Sequence, residues 1–235
     1  MKAADPATVN VHVTRVPGGT VLPGTISWER FFWIGVAAFS LLVHLSPAVQ
    51  SMLEFDRGHI AAGQTWRLLT GNFVHYSWAH LAANLMAFAA LCWIAEGRSR
   101  GLSWVVALSS PAVGLAVFGL ADDVATYRGV SGVDCALLAW ILTTMAIQDG
   151  RRKAMAWIGV LALVAAKSVI EALTGQVLLP TSAPAGVALV GATHVVGLAI
   201  GAAAGLAGKR LEKRPRPGGA AGSGQTCSSA AMRSS

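Results

Sequence analysis

Six stretches of the chain are almost continuously apolar, near residues 31–49, 78–95, 102–121, 130–148, 154–173 and 186–208. Each approaches the roughly 20 residues, at about 1.5 Å of rise per residue, that carry an α-helix across the hydrocarbon of a bilayer. Backbone inside lipid has to satisfy its own hydrogen bonds, so the pattern predicts an all-α polytopic bundle of six spans. What remains is a tail at each end and one long connection, residues 50–77. A single domain over residues 28–208 is expected, between an N-terminal tail at 1–27 and a C-terminal tail at 209–235, with no internal repeat. The first apolar run follows a mostly polar segment and lacks a small-x-small cleavage pattern, so it reads as a retained span and not a signal peptide.

Composition agrees with the pattern. Hydrophobic residues make up 54% and charged residues 12% of the chain, against roughly 25% charged in an average soluble domain. The net charge of +7 suggests nucleic acid at first sight, but the positions of the charges point elsewhere. Fourteen of the eighteen Lys and Arg are accounted for by the two tails, Arg30 before span one, Arg98 and Arg100 after span two, and Arg151, Arg152 and Lys153 after span four. The opposite connections hold only Arg57, Arg67 and Arg128, and Lys167 lies within a span. The positive-inside rule then puts both termini in the cytoplasm, and the basic tail reads as a topology signal touching anionic lipid; no nucleic acid partner is expected. From Lys209 onward the tail is rich in Gly, Ser, Pro and Arg and has too little apolar content to fold, so it is expected to be disordered. Cys92, Cys135 and Cys227 have no metal-type spacing and read as free thiols, which identify no compartment.

With the N-terminus inside, spans two, four and six begin at the outer face. His80, Asn84, Ser131 and His194 are early in those spans, each expected within roughly 5 to 15 Å of the outer helix ends. Three distant segments thus deliver polar groups to one shallow level. The connection at 50–77 has no sustained period and is too long for a plain loop, which marks it as functional or partly embedded. Trp66 and Arg67 within it suit an interfacial anchor whose ring and guanidinium sit among headgroups.

Gly129-Val130-Ser131-Gly132 opens span four with a hydroxyl between two flexible backbone positions. Alone, such a triplet serves helix packing equally well. His194, near the outer start of span six, needs a polar partner in a medium that penalises unpaired groups, and alone it reads as a hydrogen-bonded core histidine. Gly197, Gly201 and Gly205 give span six a close-packing face for which span four is the natural partner. Together these suggest a Ser-His dyad: His194 takes the hydroxyl proton, Ser131 attacks a carbonyl, and the imidazolium protonates the leaving amine. His80 and Asn84, spaced i,i+4, aim two donors from one face, able to form an oxyanion hole with the Ser131 backbone N–H. A metal site at His75 and His80 lacks the Glu and the spacing of zinc proteases, so no metal or cofactor is expected. His75 falls on another face and is expected to be a structural hydrogen-bonding residue. Asp134 needs a partner, with Lys167 or a water-filled cavity as candidates. Lys167 and Glu171 read as a structural i,i+4 ion pair.

The run Trp66-Arg67, Thr70-Gly71-Asn72-Phe73-Val74-His75-Tyr76-Ser77-Trp78-Ala79-His80 and on to Asn84 resembles the signature of the rhomboid family of intramembrane serine proteases. Gly129 to Gly132 resembles its Gly-x-Ser-Gly motif, and His194-x-x-Gly197 its base helix, in the same order. The resemblance implies a rhomboid-like fold, Ser131 as nucleophile, His194 as base, and His80, Asn84 and the Ser131 amide as oxyanion donors. Gly129, Gly132, Trp66, Arg67, His75, Asp134 and Gly197 are expected to support them. It further implies membrane-anchored protein substrates, a bacterial inner-membrane location and an active site facing outward. Phe55-Asp56-Arg57, Thr65 to Gly71, Tyr127 to Gly132 and the Lys167–Glu171 pair are similar to the rhombosortase branch, whose substrates carry a C-terminal Gly-Gly and a transmembrane anchor. One departure is Cys135, where rhomboids often place an aromatic ring against the base. The competing readings are a catalytically silent relative that binds or escorts membrane clients, and a transporter, which would spread polar groups through the full depth. The oligomeric state has no signature in the sequence.

Overall fold

The computed structural model describes residues 28–96, 101–175 and 191–212. The predicted N-terminal tail, Cys227 and residues beyond 212 lie outside the described residues, and the last helix runs to Glu212, past the expected start of disorder at 209. Five long helices carry the fold: α5 (Trp78–Ala95), α6 (Leu102–Leu120), α7 (Ser131–Gln148), α8 (Arg151–Thr174) and α9 (Gly191–Glu212). All five are long and apolar enough to cross a membrane. The first apolar run is different from its sequence reading: it breaks into α1 (Trp28–His44) and α2 (Pro47–Leu53), bent by 117°. The cause is local. Ser46, held extended before Pro47, cannot continue α1, and its hydroxyl accepts from the Val49 N–H to cap α2, with Pro47 in the first turn. The chain is an all-α polytopic membrane protein.

The helix α7 is the centre of the bundle, packed on α5, α6, α8 and α9. Its tightest neighbour is α9, because Gly197, Gly201 and Gly205 bring the two backbones together: a Cβ at Gly197 would overlap the Gly132 carbonyl, one at Gly201 the Ala136 carbonyl, and one at Gly205 the Thr143 side chain. In lipid the driving force for such a seam is dispersion between close backbones, so small residues are what the contact needs. Gly114 lets the Leu68 carbonyl approach α6 in the same way. Phe73, Phe88, Val133, Leu137 and Trp140 form the apolar core between α5, α6 and α7. By contrast α8 buries only Ser168 and Glu171, leaving most of its apolar length for lipid. Exposed tryptophans gather toward both ends, Trp28, Trp93 and Trp104 at one and Trp66 and Trp78 at the other, as expected for rings at membrane–water interfaces. At the first of these ends Glu29 of α1 accepts from the Gly101 and Ser103 N–H groups at the start of α6, and Arg30 pairs with Glu96 at 2.8 Å.

The connection at the other end is built, not loose. It contains α2, β1 (Phe55–Asp56), α3 (Arg57–Ala61), α4 (Arg67–Thr70) and a single 3-10 turn at Gly71–Phe73. The strand β1 pairs antiparallel with β2 (Thr126–Tyr127), Phe55 opposite Tyr127, which ties this connection to the segment leading into α7. Three arginines lock it. Arg57 donates to the Val117, Phe118, Ala121 and Val124 carbonyls and so caps the end of α6. Arg128 pairs with Glu54 at 2.7 Å and lies over the Tyr76 ring. Arg67 corrects the sequence expectation: it is 5% exposed, and its guanidinium donates to Gln64 Oε1 and the Ser51 and Glu54 carbonyls, not to headgroups. The two backbone carbonyls lie at the C-terminal end of α2, where helix geometry leaves acceptors without an intrahelical partner, and this draws the guanidinium inward. Trp66 alone keeps the interfacial position, half exposed.

Candidate active site

The segment before α7 sets the position of Ser131. Tyr127 is buried and its hydroxyl donates to the Gly129 carbonyl at 2.8 Å. That burial pushes the phenol well above its usual range, so it stays a neutral donor. Gly129 has φ of +129°, a conformation that L side chains rarely adopt. The turn it allows starts α7 at Ser131, whose backbone N–H is among the first-turn groups that have no partner within the helix. Gly132 then sits between Val113 and the Thr193 carbonyl, with no room for a Cβ.

The glycine seam carries His194 to that point. With α9 seated on α7, His194 Nε2 lies 3.1 Å from Ser131 Oγ. The other ring nitrogen, Nδ1, lies 3.9 Å from Glu171 Oε2 on α8. A third element completes the cluster: Ser77 caps α5 by accepting from the His80 N–H, and the first turns of α5 present His80 and Asn84 on one face, with Asn84 Nδ2 3.0 Å from His80 Nε2. Both abut Gly129, since a Cβ there would fall 3.0 Å from His80 Cε1 and 3.4 Å from Asn84 Nδ2. Serine, imidazole and two further polar side chains from α5, α7 and α9 thus converge on one end of the bundle. A model of the rhomboid domain matches residues 62–210, more than half of the chain. The chain belongs to the rhomboid family. No curated protein matches it closely enough to count as a relative.

Within this rhomboid domain the remaining predicted residues find distinct places. His75 is completely buried against His80, ring centroids 5.3 Å apart, and among the described residues neither of its nitrogens has a hydrogen-bond partner of good geometry. The ring packs neutral in the interior, with the Phe73 backbone as a looser polar neighbour. Burial, reinforced by the nearby His80 and His44, pushes its pKa down to about 3. Asp134 is not paired with Lys167, because Lys167 Nζ is engaged by Glu171 Oε2 at 2.6 Å. Instead Asp134 is buried, with Oδ1 unpartnered among the described residues. Trp66 and Arg67 stand in the connection, and Gly197 on the seam against the Gly132 carbonyl. Among the described residues no group of three or more His, Cys, Asp or Glu is arranged to hold a metal ion.

Sequence reasoning gave no position to three residues that the structure sets beside these groups. Tyr76 stacks on His80 at 5.8 Å, and Tyr127 fixes the Gly129 carbonyl. Each was visible as the only tyrosine in its segment, but nothing in a linear pattern says where a hydroxyl points. Glu171, read as half of an ion pair, also faces the imidazole.

Proposed function

We propose that this rhomboid is an intramembrane serine protease in which Ser131 is the nucleophile and His194 the base. The observation that carries the reading is the 3.1 Å approach of His194 Nε2 to Ser131 Oγ, between residues 63 apart in the chain. Polar groups are costly to bring together in a bilayer unless they are used, and proton transfer needs this separation. As Ser131 Oγ attacks the scissile carbonyl, its proton moves to Nε2 and the carbonyl oxygen becomes an oxyanion. His80, Asn84 and the Ser131 backbone N–H are the donors nearest that oxygen, and their rigidity is what makes them effective. The imidazolium then gives its proton to the leaving amine, and water repeats the cycle on the acyl ester.

The excess of Lys and Arg in the other set of connections supports an outward-facing site and cytoplasmic termini. Substrates are then membrane-anchored proteins cut near the outer leaflet. The rhombosortase-like residues favour anchors that follow a C-terminal Gly-Gly, in a bacterial inner membrane. The test is cleavage of a membrane-anchored reporter by the purified chain in proteoliposomes, together with labelling by a fluorophosphonate. Ser131→Ala and His194→Ala are expected to abolish both while the protein still inserts and folds. Turnover at the wild-type rate by either variant sinks the reading, and a silent client-binding protein is the outcome if the wild-type chain binds reporter without labelling.

A further inference from the structure

The mechanism above uses one nitrogen of His194 and leaves the other to its surroundings. Nδ1 faces Glu171 Oε2 at 3.9 Å, and this placement is fixed by backbone. The start of α9 rests directly on α8: a Cβ at Gly191 would collide with the backbone of Glu171 and Ala172. One helical turn further on, His194 is therefore held between Ser131 on α7 and Glu171 on α8. The carboxylate is buried and shares its oxygen with Lys167 Nζ at 2.6 Å. The charged groups that act on the imidazole are this acid and this lysine from α8, and α7 contributes Ser131 at the other ring nitrogen.

Resting on the protease reading, we infer that Glu171 is a positioning residue for His194, holding the tautomer with its proton on Nδ1 and stabilising the imidazolium during turnover. The arrangement follows from proton bookkeeping. Nε2 can accept the Ser131 proton only if the resting proton is on Nδ1, and an anionic oxygen on that side favours it. On attack the Oγ–H bond breaks, the Nε2–H bond forms, and the ring carries one positive charge beside the Glu171 carboxylate. That carboxylate stays ionised; when the intermediate collapses, the same Nε2 proton leaves with the amine. Lys167 adds to this demand without creating it, because in the absence of Glu171 its ammonium would further oppose the imidazolium. The 3.9 Å separation is longer than a hydrogen bond, and such contacts tighten when substrate binds.

The experiment compares wild type, Glu171→Gln, Lys167→Met and the double variant Lys167→Met/Glu171→Gln, each full-length in proteoliposomes. Fluorophosphonate labelling, reporter kcat and KM, and thermal unfolding are measured on each. Glu171→Gln is expected to lower kcat by on the order of 10- to 100-fold with KM within about twofold, short of the roughly 10,000-fold seen where a triad carboxylate is tightly bonded. Lys167→Met keeps the acid and is expected to retain most of kcat. The double variant has no buried charge to destabilise the fold, so it decides the matter if Glu171→Gln alone unfolds. A kcat still depressed at least about tenfold supports positioning, and a return to wild-type kcat assigns the pair to structure and overturns the inference. Wild-type kcat in Glu171→Gln overturns it directly. A wild-type chain inert in both assays removes the protease reading instead, and this inference with it.

Discussion

Gly197→Ala adds one methyl group to the seam within a turn of His194 and so tests what holds Ser131 and His194 together. The added methyl would overlap the Gly132 carbonyl, and it would also come within 3.3 Å of the Ala136 N–H group. Both obstacles are helix backbone, which cannot rotate away as a side chain can. Relief requires α9 to part from α7 by roughly 1 Å locally, since close-packed interiors accommodate an extra carbon only by displacement. His194 is three residues, less than one turn, from the change, so most of that displacement reaches the imidazole. A separation of 3.1 Å between Nε2 and Oγ then opens beyond hydrogen-bond range. Misplacement by about 1 Å costs on the order of 100-fold in rate, and overpacking costs about 1–3 kcal/mol of stability. The assay is the second-order rate of fluorophosphonate labelling in detergent beside thermal unfolding. Gly159→Ala in α8, where nothing lies within 4 Å of the new carbon, is the control and should match wild type in both. If Gly197→Ala labels at the wild-type rate with an unchanged midpoint, the seam does not set the Ser131–His194 distance.

Three other outcomes are expected. His80→Ala and Asn84→Ala should each lower kcat by about 100- to 1000-fold while leaving KM nearly unchanged, because an oxyanion donor acts only as charge develops; equal changes in both constants would count against the assignment. Arg67→Met should leave three part-buried acceptors without this donor and cost about 1–3 kcal/mol in thermal or denaturant unfolding, whereas an exposed headgroup anchor would cost almost nothing. His75 titrates near its ordinary value of about 6.5 when unfolded but at about 3 when folded, so the unfolded chain binds the extra proton between those values. Its contribution is thus full above pH 6.5 and is lost as pH falls toward 3, at about 1.4 kcal/mol per pH unit. His75→Phe should flatten the unfolding profile in that window, and an unchanged slope would show that His75 is not the group responsible.

The spans were legible because lipid imposes a length and an apolar composition that no other environment demands at once. The seam was legible too, since Gly197, Gly201 and Gly205 at intervals of four have few uses besides close approach. What the pattern could not give was direction. Arg67 looked like an interfacial cation beside Trp66, yet two backbone carbonyls at the end of α2 and the Gln64 amide drew it inward. Residues 31–49 looked like one span because hydropathy averages across Ser46-Pro47, where backbone sterics turn the chain. Lys167 and Glu171 read as a pair from their i,i+4 spacing, and that spacing is silent about a third group arriving from another helix. Asp134 was offered Lys167 as a partner because both were expensive, when a nearer acid had already taken the lysine.

The proposed chemistry also explains why its groups belong at helix beginnings. Ser131 opens α7 and His80 lies in the first turn of α5, so two helix N-termini, each equivalent to roughly half a positive charge, lie at the same end of the bundle. Such a field stabilises an oxyanion in a poorly screened environment. By the same physics it opposes the imidazolium that has to form a few ångströms away, and Lys167 adds to that opposition. A site that relied on helix ends alone would gain at one atom what it lost at the other. Placing Glu171 on the far side of His194 separates the two demands in space: positive potential where the oxygen becomes negative, and a negative charge behind the ring that becomes positive. The acid is therefore expected to matter more in this chain than in a site whose histidine has no lysine nearby.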